Sequence, residues 1–173
     1  NEQDVQKIIQ IMNQLVGCYR QLLEVVRLER EALANADRKS LQEQTLAKEG
    51  LIELARGIEQ NRYDACKLLL MSNRKKVALT DDPTLTQIIH QVQGTNLGLA
   101  EQLRSVQQTL QFLVKRVGEQ NLYNQRLVQR SVEHVERMKR NILGEATPTA
   151  NTYSQRGQRN SQSSTPRFVS KEV

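Results

Sequence analysis

Aromatic side chains make up only 3% of this 173-residue chain, and tryptophan is absent. Strands draw on aromatic and β-branched residues, so this deficit argues against an all-β fold. A single proline, Pro83, precedes residue 144, and glycine is sparse there as well. The turn residues that short strands require are therefore missing. Cysteine is limited to Cys18 and Cys66. If the first two helices fold back at residues 35–37, Cys18 lies level with residue 54, and Cys66 falls roughly 18 Å further along the axis. That exceeds the ~7 Å within which Cα atoms can be bridged, so two buried thiols in a reducing compartment are expected. Long apolar runs are lacking too. Purely apolar runs such as Leu68 to Met71 are far short of the ~20 residues needed to span a bilayer. Asp4 and Lys7 stand where the apolar part of a signal peptide would begin. The expectation is a cytoplasmic protein with no membrane insertion.

Chemistry-bearing constellations are equally scarce. His90 and His134 lie in different predicted helices, and no spacing of Asp or Cys around them resembles a triad or a metal site. No phosphate-cradling loop or dinucleotide fingerprint occurs. Glu29, Glu31 and Glu49 fit ion pairing on helix faces better than acid–base work. The net charge of +6 and pI near 9.5 would allow an acidic partner. The basic residues are nevertheless interleaved with Glu and Gln, and only Arg74-Lys75-Lys76 is clustered, so neither nucleic-acid binding, nor catalysis, nor a cofactor is expected.

What the chain has is a seam. Leu99, Leu103, Val106, Leu110, Leu113 and Val117 alternate steps of four and three, as in a helix packed lengthwise on others. The seam turns polar at Asn121 and Asn124, then resumes at Val128, Val132, Val135, Met138 and Ile142. Gly144 closes the run where helices commonly end in a left-handed residue. The spacing predicts one helix over 97–143, roughly 70 Å long.

A first helix over about residues 3–34, with Asn1 as cap, carries Val5, Ile8, Met12, Leu15, Tyr19, Leu22 and Val26 on its seam. Flanking stripes (Ile9, Val16 and Leu23; Ile11, Cys18 and Val25) make a face wide enough for two neighbours. A break at 34–37 with Asp37 as N-cap, or Ser40 in a capping box, leads into an antiparallel second helix ending near Ser72. Its expected seam is Ala47, Leu51, Leu54, Ile58, Ala65 and Leu68. After a connection over 73–82, Asp82-Pro83 starts a short helix through Val92. Thr95 can then cap the long one between Gly94 and Gly98. The fold expected is all-α: an elongated antiparallel bundle or coiled coil of three long helices and one short, over 1–143. The Ser/Gln-rich residues 144–173 form a disordered tail.

Because the third long helix outruns the second, its last ten or so residues are expected to lack an internal partner, over roughly 15 Å. They nevertheless keep Val132, Val135, Met138, Ile142 and Leu143 apolar. Such a stripe marks an interaction site, unless the short helix or a second copy covers it. Asn121 and Asn124 either fix register inside the bundle, mark the start of the partner-facing part, or are solvated at a frayed end.

The pattern Glu119-Gln120-Asn121-x-x-Asn124-x-x-Leu127-Val128 resembles the segment of FlgN-type flagellar export chaperones in which two Asn precede a Leu-rich helix. The likeness extends to Glu29-Arg30-Glu31-Ala32-Leu33, to the break ending in Asp37, and to Leu41 through Lys48-Glu49-x-Leu51-Ile52. Thr152-Tyr153-x-x-x-Gly157 and the basic end resemble that family's tail. The resemblance implies a cytoplasmic chaperone of the type III export system that binds hook-associated (hook–filament junction) proteins. It implies a client site at Asn121, Asn124, Leu127, Val128, Val132, Val135, Met138 and Ile142. It also implies docking to the export gate's cytoplasmic domain through Tyr153, although Ser154 stands where the family often has Gly. The protein would be a monomer or weak homodimer. The competing class is a structural coiled-coil scaffold that self-associates through the same stripe.

Overall fold

The structure, a computed structural model, describes residues 2–72 and 84–144. Asn1, Arg74-Lys75-Lys76, Asp82-Pro83 and the tail with Tyr153 lie outside the described residues. Within them the chain is all-α, with no strand: α1 (Glu2–Ala34), α2 (Arg38–Ser72), α3 (Leu85–Gln93) and α4 (Leu97–Ile142). The chain divides into two units, Asn1–Gln125 and Arg126–Val173.

In the first unit α1 is the central element. It buries Val5, Ile8, Met12, Leu15, Leu22 and Val26 along its seam, with Ile11, Val16 and Cys18 beside them. This is the wide face its sequence pattern predicts. The break after α1 closes with Asp37 N–H donating to Ala32 O (2.9 Å) and Ala36 N–H to Leu33 O (3.3 Å). These are the paired bonds of a left-handed helix end, and Ala36 adopts it with φ 52°. Asp37 then caps α2, its Oδ1 accepting from the backbone N–H of Lys39 and Ser40, both at 3.1 Å.

The hairpin is antiparallel. The Cys18 thiol donates to Leu51 O (3.3 Å), while Glu29, further along α1, meets Lys48, earlier in α2. The expected seam of α2 needs correction. Leu51, Ile58 and Ala65 pack on the core, but Ala47, Leu54 and Leu68 are exposed. The inward line instead runs through Lys48, Leu51, Ala55, Ile58, Arg62, Cys66 and Leu69, steps of three and four with two cations included. Arg62 shares its guanidinium between two partners, Nη2 donating to Glu59 Oε1 (2.5 Å) and Nη1 to the Cys66 sulfur (3.7 Å), so a cation sits on the inward line with its charge held.

Two helix starts also differ from expectation. Thr84 is the N-cap of α3: its hydroxyl accepts from Gln87 N–H and the Gln87 side chain accepts from Thr84 N–H. Asn96, rather than Thr95, caps α4, with Leu99 N–H donating to its Oδ1 at 3.2 Å. Thr95 instead turns its hydroxyl back to Val92 O. The apolar face of α3 (Leu85, Ile88, Ile89, Val92) lies in the same core as Val5, Ile8, Leu99, Ala100 and Leu103. α4 runs in the direction of α1, since Asn96 meets Glu2 (2.7 Å) and Asn124 meets Val26 (2.9 Å). It ends as its sequence predicts, with Gly144 at φ 67°.

Candidate partner-binding helix

The seam of α4 is buried at Leu99, Leu103 and Leu113 and half-buried at Val106, Leu110 and Val117. Its polar interruption is an internal feature of the first unit. Asn124 is 3% exposed, and its Nδ2 donates both to Val26 O (2.9 Å) and to Glu29 Oε2 (2.8 Å). Glu29, 7% exposed, takes the Lys48 ammonium on its other oxygen at 2.5 Å. Lys48 Nζ also donates to Asn121 Oδ1 (3.4 Å). One carboxylate thus ties α1, α2 and α4 together. Beside it Arg30 donates to Gln120 Oε1 (2.8 Å) and lies over the Tyr123 ring, 5.8 Å from its centre.

Of the three readings open for these asparagines, the geometry matches an internal polar layer. Asn124 is therefore not available to a partner in this arrangement, and Asn121 is engaged by Lys48. The ion pairing expected of Glu29 is present, but it is made across helices, to Lys48, from a buried position. A signal existed in the sequence. Glu29 follows Val26 by three and Lys48 precedes Leu51 by three, so both continue apolar seams.

Orientation of the Asn124 amide follows from its neighbours. Both are acceptors, so only the NH2 group can face them. Its carbonyl oxygen is buried with no hydrogen-bond partner among the described residues. α1, α2 and α4 each contribute a polar group to this layer, and such arrangements fix axial register at some cost in stability.

From Leu127 onward the same helix is different in character. Leu127 is half-buried, while Val128, Val132, Val135, Met138 and Ile142 are exposed, reaching 63% at Val135 and 80% at Ile142. Their spacing of four, three, three and four keeps all five on one side of the helix. The polar side chains here make local bonds: Ser131 to Leu127 O and Gln129 to Glu133, each within one turn.

Over residues 4–161 the sequence matches the family model described as FlgN protein. The chain belongs to the FlgN family. That places it among flagellar export chaperones, a family of chaperones rather than enzymes. No curated protein and no solved structure matches the chain. His90 and His134 are exposed on α3 and α4, and no group of His, Cys, Asp or Glu among the described residues could hold a metal ion. No helix among them is long and apolar enough to cross a membrane.

Proposed function

We propose that this FlgN protein holds the terminal segment of hook-associated (hook–filament junction) flagellar proteins on the stripe Leu127, Val128, Val132, Val135, Met138 and Ile142. It would do so in the cytoplasm before type III export, and deliver them to the cytoplasmic domain of the export gate with Tyr153 as the docking residue. The observation carrying this reading is the exposure of an apolar line over the last four turns of α4, a stretch whose other side chains are nearly all polar. Isolated exposed apolar residues are ordinary, but a contiguous helical row of them is the signature of a helix-in-groove partner. Asn121 and Asn124 serve the bundle and are left out of the client surface.

Fully covering a Val, Met or Ile side chain contributes about 1.5–3 kcal/mol. These are already about half covered by their own helix, so five anchors supply on the order of 5 kcal/mol gross, with a comparable amount from the client's apolar face. Ordering the client segment offsets a large part of that sum. The result suits a carrier that must release its cargo without hydrolysing a nucleotide.

The test is V132D/V135D, with binding to each hook-associated protein of the same flagellum read by titration calorimetry. Client affinity is lost while helix content by circular dichroism is unchanged. Wild-type affinity in the double mutant would remove the site. Tyr153→Ala should weaken capture by the export gate and leave client binding intact.

A further inference from the structure

We infer that the side of α4 opposite the apolar row is an arginine face that adsorbs, without inserting, to an anionic phospholipid surface. At 3.6 residues per turn, Arg126, Arg130, Arg137 and Arg140 fall within an arc of about 80°, along roughly 21 Å of helix. Val128, Val132, Val135, Met138 and Ile142 centre about 180° away. All four arginines are exposed, and none is in an ion pair among the described residues. Earlier in the chain the pattern differs, with Arg27, Arg56, Arg62 and Arg116 each holding a Glu within one turn. Glu133, the one carboxylate in the arc, lies within a turn of both Arg130 and Arg137 but accepts from Gln129 instead, at 3.0 Å. The face thus keeps a net +3 of uncompensated charge.

The chemistry of the arc selects the occupant. Its other members are Gln129, Glu133 and Asn141. With no apolar side chain among them, it lacks the dry centre of a protein–protein interface. A second copy would set the same positive face against itself. Residues 126–144 hold no Phe, Tyr or Trp on which bases stack. An anionic bilayer needs neither feature. Its phosphates lie in a plane, meet a straight row of guanidiniums all at once, and accept from their planar N–H forks. The opposite row, with Val, Met and Ile but no Trp or Phe, lacks the rings of helices sunk into the interface. Contact through the arginines turns that row away from the bilayer and leaves it free, whatever it holds.

The experiment co-sediments the full chain with vesicles of equimolar phosphatidylcholine–phosphatidylglycerol, or of phosphatidylcholine alone. At low salt the chain should bind the anionic vesicles and not the neutral ones, and lose that binding as salt rises. R130Q/R137Q should weaken it at least about tenfold. R20Q/K39Q removes the same charge from exposed positions of α1 and α2 and should weaken it less than about threefold. V132S/V135S should bind as wild type does. Equal weakening by the two charge variants would reduce the effect to overall basicity and overturn the face. Loss of binding in V132S/V135S would mean that the apolar row inserts instead. Failure to bind anionic vesicles would remove the lipid surface. Arginine-dependent binding of a single-stranded or duplex oligonucleotide, tighter than that of the vesicles, would replace lipid by nucleic acid.

Discussion

Asn124 and Glu29, 95 residues apart in sequence, meet inside the bundle with amide nitrogen and carboxylate oxygen 2.8 Å apart. The amide is the only neutral partner in a set of three: the ammonium of Lys48 holds one carboxylate oxygen of Glu29 and Asn124 the other. An acceptor at position 124 would face Glu29 Oε2 and Val26 O at the same time. Asn124→Asp is therefore expected to destabilise the chain more than Asn124→Ala. The alanine loses hydrogen bonds, about 1–3 kcal/mol, whereas the aspartate adds a second buried carboxylate, about 3–5 kcal/mol. Urea denaturation of the two variants at neutral pH measures the order. A less destabilising Asp would mean the layer is wetter than its burial indicates.

The two long apolar seams of α1 and α4 are legible in the sequence because their inward residues are apolar almost without exception, so a count of steps finds them. α2 is different. Lys48 and Arg62 occupy inward positions and Leu54 and Leu68 outward ones, so counting apolar residues slips the line by one residue toward the wrong face. Hydrophobicity alone does not report a lysine whose ammonium is held by a carboxylate on the neighbouring helix; its place on the seam hints at burial, and the pairing partner explains it. The same holds for Asn124. Its interruption of the seam is visible in the sequence, while its choice of Val26 and Glu29 is a property of the packed helices. The exposed row on α4 is legible because apolar residues recur on that face at steps of three and four, with only Ser131 and Lys139 polar among them.

Leu68 and Leu69 test the corrected line directly. Leu68 is 64% exposed and Leu69 3%. Leu69→Ala should cost about 2–4 kcal/mol through lost burial and the cavity left behind. Leu68→Ala should fall within about 0.5 kcal/mol of wild type, as surface changes do. Chemical denaturation of the pair decides it, and the reverse order would restore the line through Ala47, Leu54 and Leu68.

Ala36 carries a positive φ at the end of α1, a conformation that crowds its Cβ against the following carbonyl. Glycine has no Cβ to crowd but a more flexible unfolded chain. The first effect is the larger, so Ala36→Gly should stabilise the chain by about 0.5–1 kcal/mol. The gain is read as a rise in thermal or urea midpoint. A loss of stability would mean that the loop adopts another turn in solution.

Cys18 and Cys66 are both free thiols inside the bundle, and burial pushes each thiol up from its ordinary range, with Arg62 pulling Cys66 partly back. A thiol whose pKa is higher folded than unfolded keeps its proton longer in the native state. Its contribution is present below the unfolded value and is lost as pH rises toward the folded one. Stability should therefore decline above about pH 8.5, where unfolded thiols begin to ionise. Tyr19, raised by burial and by Glu59, extends the decline at higher pH. In C18A/C66A the fall between about pH 8.5 and 10 should be shallower than in wild type, with a lower stability at pH 7 from the two small cavities. Urea midpoints across that range measure the slope. Parallel curves for the two proteins would place the alkaline sensitivity elsewhere, and rapid reaction of native Cys66 with a thiol reagent would show that the core around Leu69 opens far more readily than its packing implies.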